Sequence, residues 1–120
     1  MEMLDKTLLS EEILQEILDL TIHGLNPQGV HLDENNVKFY FITDEDGEKD
    51  WRSINIYELM HLAKELIYNQ KYDFEVGKSL LYKQWAYILS DDFANTCIAG
   101  KVDTEIEAVF RSLKWIIDNK

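Results

Sequence analysis

Apolar positions along the chain switch between helical and alternating spacing, and each switch marks an element. Ile13, Leu14, Ile17, Leu18 and Leu20 recur at the three- and four-residue intervals of a helix face. Ser10 ahead of Glu11 and Glu12 supplies an N-cap with acids in the first turn, and Gly24 is placed to end the element. The pattern predicts a helix over about 11–23, then a loop around Pro27. Val37-Lys38-Phe39-Tyr40-Phe41-Ile42-Thr43 is dense in β-branched and aromatic residues and reads as a strand. Asp46-Gly47 is a strong two-residue hairpin signal. Pairing outward from it sets Ile42 opposite Trp51 and Phe41 opposite Arg52, with a short return strand over about 48–53.

Asn55-Ile56-Tyr57-Glu58 has the spacing of a capping box, with Asn in the cap position. Ile56, Leu59, Met60, Ala63, Leu66 and Ile67 then keep helical spacing, so a second helix is expected over about 56–69. Residues 72–100 fit two readings. Phe74–Tyr82 and Trp85–Leu89 alternate as strands would, yet Leu81, Trp85, Ile88 and Leu89 also share one helix face. Gly77 and the aromatic content favour strands, with a turn at Asp91-Asp92 and a further short strand at Thr96-Cys97-Ile98-Ala99. Thr104-Glu105-Ile106-Glu107 is a full capping box, and Ile106, Val109, Phe110, Leu113, Trp115, Ile116 and Ile117 make a broad apolar stripe over about 104–118. The expected fold is α+β, a small antiparallel sheet covered by helices, in the order α-β-β-α-β-β-β-α.

Roughly 73–118 resembles the small phage-encoded proteins called phage ABA sandwich domains. The carriers are the aromatic strand around Trp85-Ala86-Tyr87 and the run Asp103-Thr104-Glu105-Ile106-Glu107-Ala108 leading into the closing helix. Gly100-Lys101-Val102 departs from the Ala expected before the Asp-Thr pair, and residues 1–70 match less well. The resemblance implies a phage or prophage source and a sheet covered by helices. It implies no catalytic residues.

Composition narrows the function. The chain has 120 residues, 46% hydrophobic, and fits one domain over 1–120. Its net charge of −11 disfavours general binding to nucleic acid or acidic lipid, so neither a nucleic-acid nor a membrane partner is expected. One cysteine, Cys97, excludes an intramolecular disulfide framework and suits a reducing, cytoplasmic setting. The opening Met1-Glu2-Met3-Leu4-Asp5 is unlike a signal peptide, and no apolar run has the length of a membrane span.

Few residue patterns suggest chemistry. Glu58-x-x-His61 with Glu65 has the spacing of a di-iron carboxylate ligand pair, but such a site needs a second copy, for which Asp19/His23 is a poor stand-in. The loop 44–50 has acids at alternate positions, yet Gly47 and Asn55 fall where a calcium loop needs other residues. Cys97 with His23, His31 or His61 would formally make a thiol and base, although nothing in the sequence brings them together. A solvated helix face, a hairpin tip and a structural cysteine explain these patterns, and neither metal nor cofactor is expected.

Charge asymmetry is the stronger signal. Residues 1–50 hold 13 acids and 3 bases, a net −10, whereas 51–120 hold 10 acids and 9 bases, a net −1. The acids lie on the first helix, at Asp33 and Glu34, and around the hairpin at Asp44, Glu45, Asp46, Glu48 and Asp50, next to Trp51. Solubility explains part of this. An acidic face beside Tyr40 or Trp51 would also steer and dock a basic protein partner. Alternate acids on an extended strand stand roughly 6.6 Å apart, so that row would partly imitate phosphates. The expected function is therefore a non-enzymatic acidic binding protein, an inhibitor of a nucleic-acid enzyme or an immunity-type protein. The alternative is a small homo-oligomeric phage or bacterial structural protein that assembles through its sheet or its last helix, for example as a homodimer in which Trp115 and Ile116-Ile117 pack against a copy.

Overall fold

The computed structural model describes residues 8–18, 26–43, 46–81 and 83–120. Each helix start read from the sequence is met by a cap. Ser10 Oγ accepts the Ile13 N–H at 3.2 Å and opens α1 (Glu11–Leu18). Asn55 Oδ1 accepts the Tyr57 N–H at 2.9 Å and opens α2 (Ile56–Asn69). Thr104 Oγ1 accepts the Glu107 N–H at 3.2 Å and opens α3 (Glu105–Asp118). Glu107 reaches back one residue beyond the cap, accepting the Asp103 N–H at 3.4 Å. The remainder of the expected first helix, with Asp19, Leu20, His23 and Gly24, lies outside the described residues.

Among the described residues six strands form two antiparallel meanders rather than one sheet. The first holds β1 (Gln28–Asp33), β2 (Asn36–Ile42) and β3 (Lys49–Asn55); the second holds β4 (Asp73–Lys78), β5 (Trp85–Ser90) and β6 (Thr96–Val102). Behind α1 the chain is thus two βββα units, and the fold is α+β. The segment 72–100 resolves as strands, with Lys78 opposite Trp85 and Tyr87 opposite Gly100. Thr96–Val102 is longer than expected, and β1 adds a strand to the expected order.

One register differs from the sequence reading. Ile42 lies opposite Lys49 and Tyr40 opposite Trp51, a two-residue shift that leaves every side chain on its expected face. Asp46-Gly47 does not form a two-residue turn. The Glu48 carbonyl accepts the Thr43 N–H at 2.9 Å and the Thr43 carbonyl accepts the Gly47 N–H at 3.1 Å, so a six-residue loop, 43–48, joins the strands.

The helices cover the inner faces. α3 packs across β4, β5 and β6 and against α2, while α1 packs against both other helices and β1. Val37, Phe39 and Phe41 from β2 and Phe74, Tyr87, Leu89 and Val102 from the second meander join one continuous core with the apolar stripes of all three helices. Trp115 is half-buried with its ring edge-on to Tyr72 at 6.1 Å. Ile116 is buried and Ile117 packs on the core, so the apolar breadth of α3 is used within the chain. No described helix is long and apolar enough to cross a membrane.

Candidate functional site

Strand alternation sends Val37, Phe39 and Phe41 inward and therefore Lys38, Tyr40 and Ile42 outward. Lys49, Trp51 and Ser53 share that outer face by register. Tyr40 and Trp51 stand directly opposite with ring centroids 5.0 Å apart, and His31 from β1 meets Trp51 edge-on at 6.3 Å. Trp51 nonetheless keeps 53% of its surface exposed. Lys49 Nζ sits 4.8 Å from the Tyr40 ring centroid, so the cluster already holds one cation on an aromatic face.

A glycine makes this arrangement. The β1–β2 register shifts between Gln28 and His31, and Gly29 within that bulge has φ +61°. A Cβ at Gly29 would lie 2.5 Å from Tyr40 Cε1, so the tyrosine ring occupies the space a side chain would take. Glu11 of α1 fixes the spot by accepting the Gly29 N–H at 3.1 Å, and the Gly29 carbonyl lies 3.1 Å from His31 Nδ1.

The expected acidic residues divide into three groups. Asp33, at the end of β1, pairs with Lys38 at 2.8 Å, which holds its carboxyl below the usual range and raises the lysine. Asp50 pairs with Arg52 at 2.9 Å and is likewise lowered; both lie on the opposite face of β3 from Trp51. Glu34, in the β1–β2 turn with φ +55°, and Asp46 and Glu48, in the 43–48 loop, are exposed at the two opposite ends of the meander. Asp44 and Glu45 lie outside the described residues. With Asp46 and Glu48 in a loop and Asp50 turned to Arg52, the described acids make no straight phosphate-like row. What the fold assembles is an aromatic centre with acidic ends.

Other sequence candidates stay apart from this face. Glu58, His61 and Glu65 are exposed along α2, and no group of three or more His, Cys, Asp or Glu among the described residues is placed to hold a metal. Cys97 is half-buried, with its Sγ 3.7 Å from the Asn95 carbonyl, and burial pushes its thiol pKa up, away from a reactive thiolate. Sequence reasoning named Tyr40 and Trp51 for this face, considered His31 only as a base for Cys97, and gave Gly29 and Lys49 no part in the site. The alternation of Val30 and Leu32 with Gly29, His31 and Asp33 was the available signal for Gly29 and His31, while Lys49 is placed on this face only by the β2–β3 register. Comparison with protein-family models, curated proteins and solved structures gives no match to this chain.

Proposed function

We propose that this chain is a non-enzymatic binding protein that docks a basic partner protein on the outer face of its first meander. The observation that carries the reading is Trp51, held between His31 and Tyr40 yet more than half exposed. Tryptophan on a rigid surface is a frequent energetic anchor of protein interfaces. The face offers rings that stack on a guanidinium or ammonium, and Lys49 over Tyr40 is the intramolecular precedent. Asp33 and Asp50 offset Lys38 and Arg52, so among the described acids the charge left to face a partner at the two ends is that of Glu34, Asp46 and Glu48. Those acids attract a basic surface and speed its encounter.

The single cysteine supports a reducing, cytoplasmic setting. The likeness of residues 73–118 to phage ABA sandwich proteins supports a phage-borne inhibitor or immunity-type role. The basic surface then belongs to a nucleic-acid enzyme or a toxin, and the protein does not contact nucleic acid itself. The test is capture from host-like lysate by tagged protein at low and high salt, beside a variant carrying Glu34→Lys, Asp46→Lys and Glu48→Lys. A basic protein held at low salt, released at high salt and lost with charge reversal supports the reading. Recovery that is unchanged by the reversal refutes it.

A further inference from the structure

Between β4 and β5 the described residues Leu80 and Leu81 stand where turns ordinarily carry polar residues. Leu80 is 94% and Leu81 79% exposed, the first almost wholly outside the protein surface. The turn that presents them is hydrogen-bonded at its base. The Gln84 carbonyl accepts the Ser79 N–H at 2.8 Å, and the Ser79 carbonyl accepts the Lys83 N–H at 3.0 Å with Lys83 at φ +54°. Lysines bracket the leucines on both sides. Lys78 stands opposite Trp85, its Nζ 6.0 Å from that ring's centroid, and Lys83 closes the turn. From Val76 to Ser90 the chain contains no acid, although it has 23 in total.

We propose that this turn is a peripheral membrane anchor, with Leu80 and Leu81 entering the acyl boundary of an anionic bilayer while Lys78 and Lys83 meet its phosphates. Shape and charge favour a bilayer over a protein pocket. Two leucines on a projecting tip supply only a small part of the roughly 800 Å² per partner that a standard protein interface buries. Shallow insertion of a few apolar side chains with flanking cations is what a lipid interface rewards. The net charge of −11 does not forbid this, because residues 51–120, which carry the turn, hold 10 acids and 9 bases and are nearly neutral.

The test uses the full chain and sedimentation with vesicles of phosphatidylcholine alone or enriched in phosphatidylserine. The protein is expected to sediment with the phosphatidylserine-rich vesicles and to be released by salt. Lys78→Gln and Lys83→Gln should each weaken partition by about fivefold. Leu80→Ser with Leu81→Ser should weaken it by about tenfold or more, with an unchanged melting temperature, since neither leucine is in the core. Trp51→Ala should bind vesicles like the unmodified chain, which separates this surface from the protein-docking face. Three results overturn the proposal: no sedimentation with either vesicle, equal binding to neutral vesicles, or a double-leucine variant that binds undiminished. Absence of vesicle binding together with loss of a captured protein in the double-leucine variant assigns the turn to a protein partner instead.

Discussion

Gly29 is where the backbone, the sheet and the candidate site meet. Its left-handed conformation and the Tyr40 ring lying against its α-carbon both exclude a side chain. Gly29→Ala should therefore cost about 1–3 kcal/mol in denaturant unfolding, and should also alter the near-ultraviolet signal of the Tyr40–Trp51 pair. An unperturbed stability would contradict both constraints, because the backbone strain at φ +61° remains even where the ring moves aside. Ser112 predicts the opposite sign. Its hydroxyl is wholly buried in α3 and has no hydrogen-bond partner among the described residues. Ser112→Ala should raise stability by about 0.5–1 kcal/mol, because it removes a desolvated polar group and improves helix propensity. Three carboxyls carry a pH signature. Lys38 lowers Asp33, Arg52 lowers Asp50, and the Asn95 and Phe93 N–H groups lower Asp91. Each is more acidic folded than unfolded, so its contribution is present above the ordinary carboxylate range and lost as pH falls through the lower folded values. Carboxylate NMR titration should place all three midpoints below those of unpaired acids. Residue identity was thus informative about Trp51 and Tyr40, while the neutralisation of Asp33 and Asp50 depends on register and lies beyond a linear reading.

The helices were legible because their ends are encoded locally. Ser10, Asn55 and Thr104 each sit one residue before the helix they cap. Thr104→Ala should cost about 1 kcal/mol, felt globally because α3 spans all three strands of the second meander. The strands were less legible. β1 has only Val30 and Leu32 as half-buried apolar residues, and its Gly29 bulge shifts the pairing register with β2, which no local pattern shows. The β2–β3 register was displaced because an Asp-Gly pair fixes a tight turn only when the flanking strands close on it. Here the last strand pair is Ile42 with Lys49, followed by the Thr43–Glu48 hydrogen bond, and Asp46-Gly47 is carried off-centre in the connection. In 72–100, Phe74, Tyr87 and Leu89 line the inner face while Leu81 is left in the turn, so apolar residues that also fit a helix stripe serve different faces and a turn. Only pairing across strands separates those two patterns.

At the scale of the whole molecule, the charge asymmetry takes a specific form. The sequence placed acids beside exposed aromatics; the fold separates them, with rings in the centre of the first meander and Glu34, Asp46 and Glu48 at its ends. Binding to a basic partner should then weaken with salt through the ends. It should also fall by about 2 kcal/mol, roughly thirtyfold in Kd, on Trp51→Ala through the centre. The most direct test of this docking face is a titration of ¹⁵N-labelled protein with an arginine-rich peptide, observed at the indole N–H resonances of its three tryptophans. Trp51 should shift progressively and return as salt is added, while Trp85 and Trp115, on other parts of the fold, stay in place. A stationary Trp51, or shifts confined to Trp85 or Trp115, would contradict the assignment of the outer face of the first meander as the site where a basic partner binds.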